Sequence, residues 1–402
     1  ITIDPASTAT NLVLNGPDTI ANFAHAIFAV TYENISDTPD TTDQIITIAV
    51  QDDTGEIGTG TTTMQITAAN DQPVVDLDGN DSAGVTGTGY QTLFTEGDPN
   101  PVQVVDPGDV LISDPDGTTL SGATITLNNQ QAGDTLSIDA FTPGNIDVVT
   151  QTDNLIILDS PTPATHAEYA AFLELIRFSS DSEDPLVTPR SIVFTVTDEA
   201  DLTSLASTTT LDVIAVNDLP VLTLDADGSS GAPTGDYRAV FAAGSKNAAL
   251  PITDTDLAVS DLDDTHLTGA TITLTTPQTD DTLNPGTTLP TGITVSGAGT
   301  DVITLSGYAS IADYLTAIRS ITFDNLNSAP AAIARTITVQ VTDNNGGSSD
   351  PVTTTLTVTF APVVDLDTDN SSGAQGDDYQ TVFLTGTGSG VTISDAGDIT
   401  VA

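Results

Sequence analysis

The sequence contains no cysteine and no tryptophan, and only 6 of its 402 residues are lysine or arginine. The absence of cysteine excludes disulfides and thiolate metal sites. No run of about 18 apolar residues occurs, so the sequence predicts no membrane-spanning helix. Sugar-binding clefts usually present aromatic faces to their ligands, so an aromatic content of 4% argues against a glycosidase or a lectin.

Acidic residues dominate instead. Asp and Glu together number 56, which gives a formal net charge of −50. A charge of this size and sign excludes nucleic acids and anionic membranes as partners, because both are negative. The hydrophobic content of 38%, arranged in strand-like runs, argues against disorder. A secreted β protein without disulfides needs another means of stabilisation, and calcium ions are the expected one.

One segment occurs three times and indicates that the chain is a tandem array. It begins at Pro73, Pro220 and Pro362, which lie 147 and 142 residues apart. A period of this length indicates repeated domains. Each copy continues with acidic or polar residues at alternate positions: Asp76, Asp78 and Asn80; Thr223, Asp225 and Asp227; Asp365, Asp367 and Asp369.

We place the repeat boundaries just before each Pro-Val pair, because a proline cannot continue a strand ladder. Two alternatives stay open for the ends: the sequence is a window on a longer array, or chains join head to tail and complete a split repeat between them. The predicted segments are the C-terminal part of a repeat (1–72), complete repeats (73–219 and 220–361) and the N-terminal part of a further repeat (362–402).

Within a repeat, short stretches of period two alternate with turn residues. In Ala123–Leu127 and Ala270–Leu274 apolar residues alternate with threonine, which predicts strands with one buried face. Many short strands separated by turns predict an all-β fold, with tandem β-sandwich repeats of about 145 residues. Further predicted strands are Leu155–Leu158, Ile192–Val196, Asp301–Leu305 and Thr336–Val341, with Met64–Ala68, Thr208–Val216 and Thr353–Thr359 closing the repeats.

One segment per repeat has helical periodicity. Tyr169, Phe172, Leu173 and Ile176 fall at positions i, i+3, i+4 and i+7, which predicts a short amphipathic helix. Such a helix is too short to be stable alone. We therefore expect it to lie across an open end or face of the sandwich and to fill the core. The three segments with this pattern are Ala21–Val30, Ala167–Ile176 and Ala312–Ile321.

The alternating acidic residues are candidate calcium ligands. Calcium takes six to eight oxygens from carboxylates, carbonyls and water, and alternate side chains of an extended segment share one side. The candidates are Asp76, Asp78, Asp225, Asp227, Asp365, Asp367 and Asp369, together with the turn pairs Asp114 and Asp116, and Asp261 and Asp263. The alternative is that these aspartates only form turns and a solvated surface.

Several motifs together resemble the cadherin-like repeats of large bacterial surface proteins, often exported by type I secretion. They are Val216-Asn-Asp-Leu-Pro-Val221, Asp114-Pro-Asp-Gly117 before Ala-Thr-Ile-Thr-Leu, Ile311-Ala-Asp-Tyr314 and Thr338-Val-Gln-Val-Thr-Asp343. The resemblance covers the whole chain. It implies calcium-rigidified, rod-like extenders in extracellular adhesins or surface layers at the bacterial cell surface.

The resemblance also implies a calcium site at each repeat boundary, where linker residues join carboxylates from a turn of the preceding repeat. The residues that correspond are Asn70 and Asp71 with Asp52 and Asp53, Asn217 and Asp218 with Asp198, and Asp343 at the third boundary. The third boundary lacks the Asn-Asp pair, so we expect a weaker site there.

The sequence predicts a structural or adhesive segment rather than an enzyme. It contains no His-Glu-x-x-His, no Gly-x-Ser-x-Gly and no phosphate-binding glycine loop. The expected partners are calcium ions, neighbouring repeats of the same chain and other copies of the chain. The alternative function is a self-assembling extracellular filament or surface-layer subunit joined head to tail.

Overall fold

The structure is a computed structural model that describes residues 1–139, 144–243, 249–327, 330–360, 364–369, 371–372, 378–381, 391–394, 397 and 399–401. It divides the chain into two units, Ile1–Ile214 and Ala215–Ala402. This division lies a few residues before the predicted boundary at Pro220. The division into four segments stays a prediction.

The first unit begins with a segment that forms two antiparallel strand pairs and one helix. β1 pairs with β2, and β3 pairs with β4. Residues 1–72 contain no buried side chain, so α1 covers no core in this segment. Its elements are β1 (Thr2–Ile3), β2 (Leu14–Asn15), α1 (Ile20–Phe28), β3 (Gln44–Gln51) and β4 (Ile57–Met64).

The first complete repeat is a β-sandwich with one helix. Its elements are β5 (Val74–Asp76), β6 (Tyr90–Thr95), β7 (Val102–Gln103), β8 (Leu111–Ser113), β9 (Thr119–Leu127), β10 (Asp134–Ile138), β11 (Asp147–Thr152), β12 (Leu155–Thr165), α2 (His166–Leu173), β13 (Ile176–Ser180), β14 (Arg190–Asp198) and β15 (Ser207–Ile214). A six-stranded sheet has the order β11-β12-β9-β14-β15-β6, a three-stranded sheet has the order β10-β13-β7, and β5 pairs with β8.

Apolar side chains from both sheets and from α2 form the core of this repeat. Phe94 of β6 and Phe178 of β13 meet edge to face with ring centroids 5.4 Å apart, which joins the two sheets. Tyr169, Phe172 and Leu173 of α2 are fully buried, so the helix fills the core as predicted.

The second unit contains a complete repeat with the same topology. Its six-stranded sheet has the order β17-β26-β25-β20-β23-β22, its three-stranded sheet has the order β18-β24-β21, and β16 pairs with β19. Phe241 and Phe323 make the equivalent ring contact at 5.1 Å. The all-β prediction with one short helix per repeat is confirmed. The elements are β16 (Val221–Thr223), β17 (Tyr237–Ala243), β18 (Leu250–Pro251), β19 (Ala258–Ser260), β20 (His266–Leu274), β21 (Asp281–Asn284), β22 (Thr294–Ser296), β23 (Val302–Ser310), α3 (Ile311–Arg319), β24 (Thr322–Asn325), β25 (Arg335–Asp343), β26 (Val352–Phe360), β27 (Val364–Asp365) and β28 (Thr400–Val401).

Several boundaries differ from the sequence prediction by a few residues; α1 and α3, for example, end two residues before the predicted Val30 and Ile321. The strand predicted over Met64–Ala68 ends at Met64, because the last pair of its hairpin joins Met64 to Gln44 and leaves the following residues without a partner strand. The helix predicted to reach Ile176 ends at Leu173, because Ile176 pairs with Ile138 as the first residue of β13. None of the helices that the structure describes has the length and apolar character needed to cross a membrane.

The first and last strands of each six-stranded sheet, in chain order, run parallel. β6 pairs with β15 from Tyr90 opposite Thr209 to Thr95 opposite Ile214. β17 pairs with β26 in the same way, over seven residue pairs. Because the two strands point in one direction, the chain enters and leaves the six-stranded sheet at opposite ends.

Two of the six basic residues lie buried at equivalent positions. Arg190 begins β14 and donates from Nε to Asp134 Oδ2 at 2.6 Å, and Arg335 begins β25 and donates to Asp281 Oδ2 at 2.6 Å. All four side chains are almost completely buried. Partners in contact offset each other's desolvation. Each pair therefore joins a central strand of the large sheet to the small sheet.

Candidate metal centres

The first group of candidate ligands, which we call the loop cluster, lies beside β5. In the first repeat it consists of Asp78, Asp106 and Asp109, with carboxylate oxygens within 4.8 Å of one another. β5 and β8 are antiparallel with Asp76 opposite Leu111. The end of β5 therefore meets the start of β8, which brings Asp78 next to the loop that contains the other two aspartates.

Asp78 organises this loop cluster. It is fully buried, and its two oxygens accept hydrogen bonds from the amides of Ser82 at 3.0 Å and Ala83 at 2.8 Å. Burial is the largest single influence and opposes its ionisation, but the hydrogen bonds to Asp78, from these amides and from neighbouring side chains, together hold its pKa below the ordinary value. The Ser82 hydroxyl also donates to Asp106 at 2.8 Å, and Asp76 accepts from the Asp78 amide at 3.1 Å.

The second repeat builds the same loop cluster from Asp225, Asp227, Asp254 and Asp256. Asp225 accepts from the amides of Ser229 at 3.0 Å and Ser230 at 2.9 Å, and the Ser229 hydroxyl donates to Asp254 at 2.9 Å. The Ser230 hydroxyl holds the pKa of Asp225 below its ordinary value, against the effect of burial. Asp225 is therefore negative at neutral pH and available to a cation.

One position distinguishes the two loop clusters. The amide of Asn80 donates to Asp109 at 2.8 Å in the first repeat, and the amide of Asp227 donates to Asp256 at 2.6 Å in the second. The second cluster thus has one more carboxylate. In addition, Oδ1 of Asp256 is enclosed and accepts no hydrogen bond.

The third copy of the acidic segment, after Pro362, starts its loop with the same hydrogen bonds. Asp367 accepts from the amides of Ser371 at 3.0 Å and Ser372 at 2.9 Å, and Asp369 accepts from Ser371 at 2.9 Å. The side chain of Asp365 lies outside the described residues, so its predicted role stays a prediction.

The second group, the linker cluster, lies where a linker meets the repeat that follows it. In the first repeat it consists of Asn70, Asp71, Asp114, Asp116 and Asp198. Asn70 Nδ2 donates to Asp198 Oδ2 at 2.6 Å, and the amide of Asp71 donates to Asp116 at 3.3 Å. Asp114 Oδ1 accepts from the amide of Asp116 at 3.3 Å, which closes the turn before β9.

The linker cluster of the second repeat has the same hydrogen bonds and consists of Asn217, Asp218, Asp261, Asp263, Asp264 and Asp343. Asn217 Nδ2 donates to Asp343 Oδ2 at 2.9 Å. The amide of Asp218 donates to Asp263 at 3.2 Å. One oxygen from each of Asp261, Asp263 and Asp264 lies within 4.8 Å of the other two.

Asp198 and Asp343 act as anchors for the linkers. Oδ1 of Asp343 accepts from the amides of Asn345 and Gly347 at 2.8 Å each, and Oδ1 of Asp198 accepts from Ala200 and Leu202 at the same distance. Both carboxylates are buried. Their second oxygens hold the linker asparagines, so they fix the linker to the end of β14 or β25.

The direction of these contacts differs from the expectation. Asn70 was expected to join a turn of the preceding repeat, but its amide contacts Asp198, which belongs to the repeat that comes after it. The physical reason is that Asp198 is already held at the end of β14 with an oxygen facing the linker. Asp52 and Asp53 are exposed, and Asp52 accepts from Thr54 and Glu56 of its own turn. Neither joins an acidic group found among the described residues.

Several oxygens of the linker clusters are enclosed but accept no hydrogen bond. They are Asp114 Oδ2 in the first repeat, and Asn217 Oδ1, Asp261 Oδ2, Asp263 Oδ1 and Asp264 Oδ2 in the second. Burial and the neighbouring Asp263 raise the pKa of Asp261 to about 6. Burial also raises the pKa of Asp114 and of Asp264. Enclosed oxygens without partners and crowded negative charges both destabilise a site that has no cation.

The donor chemistry of both clusters fits a hard dication. Carboxylate and amide oxygens are the ligands that calcium prefers, whereas zinc and copper favour imidazole or thiolate. In the linker cluster of the second repeat, Asn217, Asp261, Asp263 and Asp264 would hold the ion. In its loop cluster the ligands would be Asp225, Asp227, Asp254 and Asp256.

Sequence reasoning missed five of these residues: Asp106, Asp109, Asp254, Asp256 and Asp264. A signal was present, because Asp106-Pro-Gly-Asp109 recurs as Asp395-Ala-Gly-Asp398 at the same distance from the acidic ladder of its copy. The serine that bridges the loop cluster also recurs, as Ser82, Ser229 and Ser371. Asp395 and Asp398 lie outside the described residues.

Comparisons with known proteins give distant structural matches. No protein-family model and no curated protein matches the sequence. Drosophila N-cadherin EC1-4 aligns at 9% identity and a TM-score of 0.19, over 80% of this chain and 60% of that one. The titin domains Z1Z2 in complex with telethonin align at 13% identity and a TM-score of 0.23, over 73% of this chain and 99% of that one.

A third match is the sialic acid binding region of the Streptococcus sanguinis SK1 adhesin, at 11% identity and a TM-score of 0.20, over 72% of this chain and 78% of that one. The chain thus spans less than two thirds of the N-cadherin fragment. At identities and TM-scores this low, the functions of those proteins do not transfer to this chain.

Proposed function

We propose that this chain is an extracellular structural or adhesive segment whose β-sandwich repeats bind calcium and are stabilised by it. The segment would belong to a bacterial cell-surface protein, as its sequence motifs indicate. Affinities on the order of 10⁻⁴ to 10⁻³ M are sufficient for an extracellular module. Its role is mechanical rather than catalytic.

The observation that carries the proposal is the recurrence of an enclosed, unpaired carboxylate oxygen at equivalent turn positions. Asp114 Oδ2 in the first repeat and Asp261 Oδ2 in the second both lack a hydrogen-bond donor. An unpaired buried acceptor costs about 1–3 kcal/mol, and more when it is charged. A bound dication supplies the missing partner in both repeats and reduces the repulsion within a chain of net charge −50.

The linker residues connect calcium binding to stiffness. Asp218 donates through its amide to Asp263, and Asn217 is held by Asp343. An ion held by Asp261 and Asp263 would therefore also restrain the linker. Calcium bound there removes conformational freedom from the segment that precedes each repeat, so the array projects as a rod.

Isothermal titration of the full chain with CaCl₂, after treatment with EDTA, tests calcium binding directly. We expect heat from several sites in the wild-type chain. Asp114→Asn combined with Asp261→Asn should remove or weaken about one site per repeat, because each change removes a ligand charge. The matched control combines Asp153→Asn with Asp301→Asn, two exposed positions, and should titrate like the wild type.

Small-angle scattering of the same samples tests stiffness. We expect the maximum dimension to fall when EDTA is added, and to fall less in the Asp114→Asn, Asp261→Asn variant because it starts from a partly apo state. A chain that releases no heat with calcium contradicts the binding proposal. A chain that binds calcium but keeps its dimensions in EDTA contradicts only the mechanical role.

A further inference from the structure

The two linker clusters differ at one position that faces the candidate site, and the importance of this difference rests on the calcium-binding function proposed above. The turn of the first repeat is Asp114-Pro-Asp-Gly117, and that of the second is Asp261-Leu-Asp-Asp264. Gly117 and Asp264 therefore occupy the same position. The amides of both donate to the first aspartate of the turn, at 3.2 and 3.1 Å. The backbone is thus equivalent, and the difference is one carboxylate.

The Asp264 side chain is buried, and a hydrogen bond fixes its orientation. It is only 9% exposed. Its Oδ1 accepts from Asn344 Nδ2 at 2.6 Å, while its Oδ2 is enclosed and accepts no hydrogen bond. One of its oxygens lies within 4.8 Å of oxygens of Asp261 and Asp263. Asn344 therefore holds one side of the carboxylate and leaves the other side for a ligand.

In the first repeat, the position equivalent to Asp264 has different surroundings. A Cβ atom at Gly117 would lie 2.7 Å from Asp114 Oδ2, so the Asp114 carboxylate lies against the position from which a side chain would start there. The residue equivalent to Asn344 is Glu199, which accepts from the Thr119 hydroxyl at 2.6 Å. The first repeat thus has neither the third turn carboxylate nor the asparagine that orients it.

We propose that Asp264 is a cation ligand that makes the linker cluster of the second repeat the stronger calcium site of the two, with Asn344 as its positioning residue. Calcium affinity rises with the number of charged ligands and with the rigidity of the site. The second cluster has one more carboxylate than the first, and the hydrogen bond from Asn344 fixes the orientation of that carboxylate. As calcium rises, the second repeat fills its linker cluster before the first.

Hydrogen exchange with mass spectrometry, measured on the full chain at increasing CaCl₂, resolves the two turns separately. In the wild type, peptides that contain 261–264 should gain protection at roughly tenfold lower calcium than peptides that contain 114–117. Asp264→Asn and Asp264→Gly should remove this difference.

Asp301→Asn removes one exposed negative charge from the same repeat and serves as the matched control, with wild-type midpoints expected. Asn344→Ala should shift the midpoint of the 261–264 peptides toward that of Asp264→Asn. Equal midpoints for the two turns in the wild type would overturn the inference while calcium binding itself stands. So would an unchanged order in Asp264→Asn. If calcium protects neither turn at any concentration, the proposed function fails together with the inference.

Discussion

The two complete repeats have the same scaffold and different acidic clusters. Each has a six-stranded and a three-stranded sheet with equivalent strand order, a core helix and a buried arginine–aspartate pair. The clusters differ at three positions: Asn80 against Asp227, Gly117 against Asp264 and Glu199 against Asn344. The comparison teaches that the ligand set can change from one repeat to the next without any change in the strands that position it.

The largest expected effect is the loss of stability when the buried arginine–aspartate pair, which both repeats have, is broken. Arg190→Ala and Arg335→Ala should each destabilise their own repeat by about 3–5 kcal/mol, because Asp134 or Asp281 would remain buried without its partner. Hydrogen exchange in peptides from 119–127 and from 266–274 reports each repeat separately. Arg177→Ala is the control, since its partner Asp139 is half exposed, and it should cost less than about 1 kcal/mol. A similar loss for Arg177→Ala and Arg190→Ala would contradict the role of the buried pair.

The next effect concerns the linker anchors. Asp198→Ala and Asp343→Ala should each cost about 1–3 kcal/mol, because several amides would lose their acceptor. The loss should be equal in the two repeats when calcium is removed with EDTA, since both carboxylates make the same bonds. Exchange of the linker amides near Asn70 and Asn217 measures it. A loss in one repeat only would show that the anchors are not equivalent.

A smaller difference is expected at the helix starts. In α2, Thr165 accepts from the Glu168 amide while Glu168 accepts from the Thr165 amide at 2.8 Å. In α3, Ser310 accepts from the Asp313 amide, and Asp313 accepts from the Ser310 hydroxyl rather than from its amide. Thr165→Ala should therefore cost about 1 kcal/mol and slightly more than Ser310→Ala.

Thermal unfolding of the full chain, together with exchange in the helix peptides, measures this difference. Thr316→Ala is the control, because Thr316 is exposed and lies inside α3 rather than at its start. If Thr316→Ala lowers the stability as much as Thr165→Ala or more, the N-cap hydrogen bonds do not stabilise the helices.

The smallest effect is a pH dependence of the linker clusters without calcium, strongest at Asp261 in the second repeat, where the pKa is raised furthest. The pKa of Asp261 is about 6 in the folded state, above its ordinary value of 3.8. The folded state then binds more protons than the unfolded state between these two values, so stability rises as pH falls through about 6. Asp225, whose pKa is lowered, acts in the opposite direction, with its contribution lost only at pH below 3.8.

Exchange in peptides from 261–274 between pH 7 and pH 5, corrected for the intrinsic rate, tests this in EDTA-treated chain. Asp261→Asn should reduce the gain on acidification, and part of it should remain because burial also raises the pKa of Asp264. Stability that falls steadily over this range in the wild type would contradict the assignment. With calcium present the direction should reverse, since protons then compete with the ion.

The sequence predicted the fold well, because burial on one face of a sheet leaves a period of two that is visible locally. Ile125 and Leu127 are buried while the threonine between them is not, as the alternation in β9 predicts. The helix was equally visible, since Tyr169, Phe172 and Leu173 fall on one face. Its end was misplaced because Ile176 continues the apolar spacing as a strand residue.

Most of the candidate ligands could be predicted from sequence, and the five that could not share a physical reason. Asp78 and Asp225 lie in a repeated ladder, so their spacing marks them. Asp106 joins Asp78, and Asp254 joins Asp225, only because strands that are distant in sequence pair with each other. Residue spacing gives no information about that pairing. The sequence does not show that Asn70 contacts the repeat after it rather than the repeat before it, because a linker residue is equally close in sequence to both repeats.

The parallel pairing of β6 with β15 determines how the six-stranded sheet carries load. Tension applied at the start of β6 and the end of β15 pulls the two strands in opposite directions along their length. All hydrogen bonds between the two strands then resist together, whereas an antiparallel hairpin would open one bond at a time. β17 and β26 are arranged in the same way, so in both repeats the six-stranded sheet resists such a force with a strand pair loaded in shear.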